Sequence, residues 1–165
     1  MKVAAPVMFA LLVLGANPLL VSAAEHRDAR ELAPAALIGP WKADIAASTY
    51  AHAKPVKEYR TFQYDADGKV LVTFMNINAN GEYATGHWAA QLDGTPGLEY
   101  HNSAGSIPYN VVSFKKVDDN NFTLVVSRNG AVSIQATYNL SPDGKTLTYA
   151  YSGNTIIYHR WDMMN

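Results

Sequence analysis

A chain of 165 residues with no cysteine and a formal net charge of −1 is excluded from several classes at once. Thiolate catalysis, thiolate zinc sites, disulfide staples and lipidation at cysteine have no residue to work with. A balance this close to neutral, about −2 without Lys2, supplies no field to hold nucleic acid or an anionic membrane.

Taken in order, the chain begins with Lys2, an apolar segment over residues 7–21 and the small residues Ser22-Ala23-Ala24 ahead of Glu25. Those are the parts of a secretory signal peptide. The uninterrupted apolar run falls short of the roughly 20 residues that span a bilayer, and Pro18 breaks it. Residues 1–24 are therefore expected to be cleaved and the mature chain exported, to the periplasm or the medium, with no stable membrane insertion. About 141 residues remain, enough for one domain that buries its own core. Residues 25–37 carry Glu25, Arg27, Asp28, Arg30, Glu31 and Pro34 and are expected to form a flexible tether or a frayed helix. Residues 38–165 form the domain, with one or two helical turns expected after Asp44.

From residue 57 onward the pattern is that of strands. Lys57–Tyr64 ends in Asp65-Ala66-Asp67-Gly68, residues 70–78 end in Asn78-Ala79-Asn80-Gly81, and residues 82–92 end in Asp93-Gly94. A short strand at 98–101 precedes the longest loop, 102–110, and another strand follows at 110–117. The clearest stretch is 121–151. Phe122, Leu124 and Val126 alternate with Thr123, Val125 and Ser127; Asn129-Gly130 is a hairpin signal; Val132, Ile134, Ala136, Tyr138 and Leu140 share one face. Ser141-Pro142-Asp143-Gly144 turns the chain into residues 146–151, and Ser152-Gly153-Asn154 leads to the last strand. The turns are too short for parallel crossovers. The expected class is all-β, a single antiparallel up-and-down barrel of about 8–9 strands, because closure removes exposed edges; a sandwich is the alternative.

On residues 82–92 one face is Ala84, Gly86, Trp88, Ala90 and Leu92, which is the expected interior. Small residues beside Trp88 leave room for an apolar or aromatic ligand; Trp88, Phe74 and Phe114 are the candidates to bind it, unless Phe74 or Phe114 simply fills the room. Tyrosine is abundant, at ten residues, and Tyr83, Tyr138, Tyr149 and Tyr151 are the candidates to complete the wall.

Gly39-Pro40-Trp41 ahead of the first strand, with Arg160 in the last, resembles the Gly-x-Trp and C-terminal arginine signature of lipocalin-like (calycin-type) barrels. The wider runs at residues 41–48, 112–119 and 140–148 resemble a family of small exported bacterial β-barrel proteins of unknown function. The resemblance implies that Trp41 closes one end of the barrel and that Arg160 stacks across it, a favourable cation–π contact. The second lipocalin motif and the helix before the final strand have no counterpart, so an avidin-like or fatty-acid-binding-type barrel is also admissible.

Chemistry-bearing motifs are sparse. The five histidines show no His-x-His or His-Glu-x-x-His spacing, and Asp65-Ala66-Asp67-Gly68 lacks the closing glutamate of a calcium loop, so no metal is expected. Nucleophile elbows and phosphate-cradling loops are missing, and no cofactor is expected. His87 and His159 are the candidates for an inward acid or base. Three readings follow. The first is an exported protein binding a small hydrophobic or aromatic molecule; the second is a non-metal isomerase, cyclase or lyase on the same barrel; the third is a filled barrel acting as a protein-interaction module.

Overall fold

The computed structural model describes residues 28–102 and 110–162; the signal-peptide reading of residues 1–24 lies outside them. A short helix, α1 (Ala29–Leu32), starts at Asp28, whose side chain accepts from the Arg30 backbone N–H at 2.8 Å. The strands follow as β1 (Gly39–Ala43), β2 (Lys57–Tyr64), β3 (Val70–Ile77), β4 (Tyr83–Ala90) and β5 (Gly97–His101). Then come β6 (Asn110–Lys116), β7 (Asn121–Arg128), β8 (Ala131–Leu140), β9 (Thr146–Tyr151) and β10 (Asn154–Arg160).

Two-residue turns enforce the meander. Asn129 and Gly130 adopt φ of 52° and 77°, and Ser152 and Gly153 adopt 44° and 79°. Paired positive φ is the twist that lets a hairpin continue without splaying its strands. Every strand from β2 to β10 pairs antiparallel with the next, and β1 pairs with both β2 and β10. The result is a closed antiparallel up-and-down barrel, as the turn spacing predicts.

The strand count corrects the expectation: there are ten, not 8–9. The difference lies partly at Gly39-Pro40-Trp41, read as the approach to the first strand but itself β1, paired to Phe62, Thr61 and Arg60 of β2. Five residues opening with Gly-Pro show no alternation; pairing alone defines them as a strand.

Over its described part, residues 28–37, the segment read as a tether or frayed helix holds the short helix α1 and packs on the barrel. Ala29 and Leu37 are fully buried, Ala29 N–H donates to the Gly68 carbonyl at 2.8 Å, and Arg30 Nη2 donates to the Asp65 carbonyl at 3.0 Å. Ala29, Ala33 and Leu37 form a small apolar edge that packs on the barrel while Arg30 and Glu31 stay in water. After β1, Asp44 makes the expected single turn, its carboxyl accepting from Ala47 N–H at 3.0 Å.

Alternation fills one half of the barrel. Phe114 packs edge-on to Trp88 at 5.2 Å and to Tyr138 at 5.7 Å, and face-on to Phe122 at 5.6 Å. A register shift between Val126 and Ser127 ends the inward run of β8 at Ile134 and leaves Val132 55% exposed, contrary to its expected place on the apolar face.

Below this packed half, Trp41 is fully buried and donates from Nε1 to the Leu37 carbonyl at 2.9 Å. The Arg160 guanidinium lies over its indole at 4.0 Å and donates to the Ile38 carbonyl at 2.7 Å and to the Ala36 carbonyl. Gly39 permits this: its φ is +124°, and a Cβ there would sit 2.7 Å from Arg160 Nη1. Replacing Arg160 by alanine removes a cation–π contact and two charge-assisted hydrogen bonds. Urea denaturation should show a loss of about 2–3 kcal/mol; a loss below about 0.5 kcal/mol would reduce the contact to a surface ornament.

Candidate functional site

The other half of the barrel is hollow. A cavity of about 780 Å³ opens between the strand ends, within the range of roughly 300–1,000 Å³ typical of small-molecule sites. Its walls include Trp88, Phe74, Leu124, Ile134, Tyr149 and Tyr151. Gly86 sets the position of Phe74: a Cβ on Gly86 would meet the Phe74 ring at 2.4 Å and the Tyr100 carbonyl at 2.6 Å. The room that small residues leave on β4 is thus taken, at Gly86, by the phenylalanine of β3, while Trp88 still borders the void.

Strand β2 carries charge into this interior. Glu58, Arg60 and Phe62 alternate with Lys57, Tyr59 and Thr61, and the first three are buried. Glu58 accepts a hydrogen bond on Oε1 from the Tyr158 hydroxyl and on Oε2 from the Tyr50 hydroxyl at 3.2 Å. Arg60 lies among rings, its guanidinium carbon 4.4 Å from the centre of Tyr149 and 5.4 Å from that of Tyr138. Tyr149 stacks on Tyr138 at 4.4 Å and meets Tyr151 at 4.8 Å, so Arg60 lies beside a row of three phenol rings, closest to the middle one. Toward the mouth, Glu99 accepts from Asn110 Nδ2 at 2.6 Å, and Asn110 accepts in turn from Arg128 Nε at 2.8 Å.

The sequence candidates divide. Trp88, Phe74, Tyr149 and Tyr151 line the cavity. Phe114 and Tyr138 do not: both belong to the packed half, although Tyr138 touches Arg60 from below. Tyr83 is 62% exposed, because it shares the outward parity of Thr85 and His87 on β4. His87 is on the outside, stacked on Tyr100 at 5.2 Å. His159 is also exposed, 3.8 Å from Asp44 Oδ2, because Asn154, Ile156 and Tyr158 take the inward positions of β10. Neither of these histidines lines the cavity; His52 and His101 do. Trp41 and Arg160 stack on each other and do not line the cavity.

Sequence reasoning missed Glu58, Arg60, Glu99 and Tyr50. The available signal was parity, since Glu58 and Arg60 share the face of Phe62. It was masked because Tyr59 makes the opposite face of β2 equally amphipathic. Among the described residues no group of three or more histidine or acidic side chains is placed to hold a metal ion.

Burial governs the phenols. Tyr158 is held well above the usual tyrosine range, chiefly by burial and despite the opposing pull of Arg60. Burial, then the neighbouring Glu58, raises Tyr50 as well. Tyr149 is pushed up to about 12, again mainly by burial and against Arg60. Unfolded tyrosines ionise near pH ~10. Below that both states keep these protons and stability is unaffected. Between about 10 and 12 only the unfolded chain releases the protons of the deeply buried Tyr149 and Tyr158, so stability should fall by about 1.4 kcal/mol per pH unit for each of these two. Urea midpoints measured from pH ~9 to ~11.5 should show this loss, and Tyr149→Phe should lessen its slope. A midpoint constant across that window would mean that the phenols are not sequestered.

Comparison with known protein families, with curated proteins and with solved structures yields no match to this chain.

Proposed function

We propose that this protein is an exported, lipocalin-like binding protein that holds a small hydrophobic or aromatic molecule inside its barrel. The observation that carries the reading is the half-hollow interior. One half is packed by Phe114, Trp88, Tyr138 and Phe122, and the other is a cavity of about 780 Å³ with indole, phenyl and phenol walls. A barrel whose only task was to present its outer surface would gain stability by filling that space with side chains. Aromatic walls on rigid strands offer an apolar guest flat contact area at little entropic cost.

The cation–π closure of Arg160 over Trp41 supports the lipocalin-like reading, since it joins the two residues that the resemblance pairs. Export rests on the composition of residues 1–24 and sets the place of action as the periplasm or the medium. Catalysis by His87 or His159 gains no support from the geometry, because both side chains are outside the barrel. The partner is a small molecule; no feature of charge favours nucleic acid.

The neutral dye N-phenyl-1-naphthylamine probes this directly. It should bind saturably at one site per chain with a blue-shifted, enhanced emission. Ile134→Trp, which places an indole in the wall of the void, should weaken it about tenfold or more with the fold intact by circular dichroism. Dye that fails to saturate, or that binds the filled variant equally well, would overturn the reading.

A further inference from the structure

The cavity has an apolar wall, but it also carries a cation that makes no hydrogen bond among the described residues. Arg60 is 7% exposed and borders the void where the packed half begins, in register with Trp41 of β1 and Phe74 of β3. An arginine stays protonated at any physiological pH and presents five N–H donors in a rigid fork. Among the described residues no acceptor takes a hydrogen bond from it, its Nε is buried without a partner, and no carboxyl group forms an ion pair with it. The rings of Phe74, Tyr138, Tyr149 and Tyr158, at 4.4–5.7 Å, stabilise the charge through their faces but leave the fork unfilled. The Glu58 carboxylate favours this charge electrostatically from a distance, but a buried cation with no hydrogen-bonded anion is a costly arrangement.

The nearby carboxylates and Asn154 are already engaged, whereas the buried Tyr138 hydroxyl, like Arg60 Nε, has no hydrogen-bond partner among the described residues. Glu58, two residues away on the same face, spends one oxygen on Tyr158 and the other on Tyr50. Glu99 is tied to Asn110, which Arg128 holds in place. Asn154 accepts from Ala51 N–H at 2.9 Å and donates to the Tyr151 carbonyl at 3.1 Å. The surrounding phenols keep their protons, so no phenolate competes for the guanidinium.

We propose that Arg60 receives an anionic oxygen group of the ligand, which makes the guest an apolar or aromatic body bearing one carboxylate- or sulfonate-type head. The head meets the planar fork of Arg60 at the floor, and the body lies against Trp88, Phe74 and Tyr151 toward the mouth. The proposal rests on the ligand-binding reading above and narrows its substrate class from any hydrophobic molecule to an anionic amphiphile.

Two dyes with one carbon skeleton test it. N-phenyl-1-naphthylamine is neutral; 8-anilinonaphthalene-1-sulfonate adds a sulfonate. On the wild-type chain the sulfonate dye should bind at least tenfold tighter, and each dye should displace the other. Arg60→Gln should bring the two affinities together, with the sulfonate dye losing its advantage of tenfold or more over the neutral one. A second measurement needs no variant. A charge this deeply buried is little screened, so the preference should change by less than about twofold between low and high salt, whereas one due to Lys54 or Arg128 at the mouth would collapse. Equal affinities on the wild type, a preference that survives Arg60→Gln, or one abolished by salt would overturn the role of Arg60 while leaving the binding reading standing. If neither dye saturates, the binding reading fails and the anion site fails with it.

Discussion

Closure through β1 is the constraint on which the rest of the molecule depends. Nine consecutive strands could curl into an open sheet; the five residues Gly39–Ala43, hydrogen-bonded on both sides, make it a tube. Arg160 over Trp41 fastens that seam, because one guanidinium covers the indole and also satisfies the carbonyls of Ile38 and Ala36. Closure removes sheet edges and gives every strand an inside and an outside. Each inward residue then faces side chains from across the tube, and the barrel must either fill its centre or leave it hollow.

This chain does both, by level. At one level, Phe62, Phe114, Phe122 and Tyr138 interlock through edge and face contacts and fill the interior. One layer further, Glu58 and Arg60 replace the apolar side chains that would continue the core. Their charges are tolerated in different ways. The carboxyl is satisfied by two phenol hydroxyls, whereas the guanidinium has only ring faces. The change from packed core to polar cavity therefore falls within a single strand, between Phe62 and Arg60. It is a local departure from good packing and full hydrogen bonding, of the kind that natural proteins concentrate where they function.

Some of this was legible along the chain. Alternation at residues 122–126 and 134–140, and the inward face of Trp88, Ala90 and Leu92, came through because polar and apolar residues separate cleanly there. The tightest hairpin came through because Asn-Gly can adopt the required φ at both positions. The Trp41–Arg160 contact was legible only by likeness to other barrels, since nothing local in either segment foretells a partner about 120 positions away. On β2 and β10 both faces are amphipathic, so parity alone left Arg60 and His159 without a side. The placing of Tyr83 and His87 outside, and of Arg60 inside, needed the cross-strand partners of β4 and β2.

By itself the sequence determined the local grammar of this protein: antiparallel strands, their turns, and an apolar face for most of them, because periodicity and turn chemistry act over a few residues. Only the tertiary structure decided how many strands meet, which half of the interior is filled, and that the Arg60 guanidinium faces a void without a hydrogen-bond partner among the described residues. Those outcomes depend on which side chains converge from opposite walls of a closed tube, and residues that converge there are far apart in the chain.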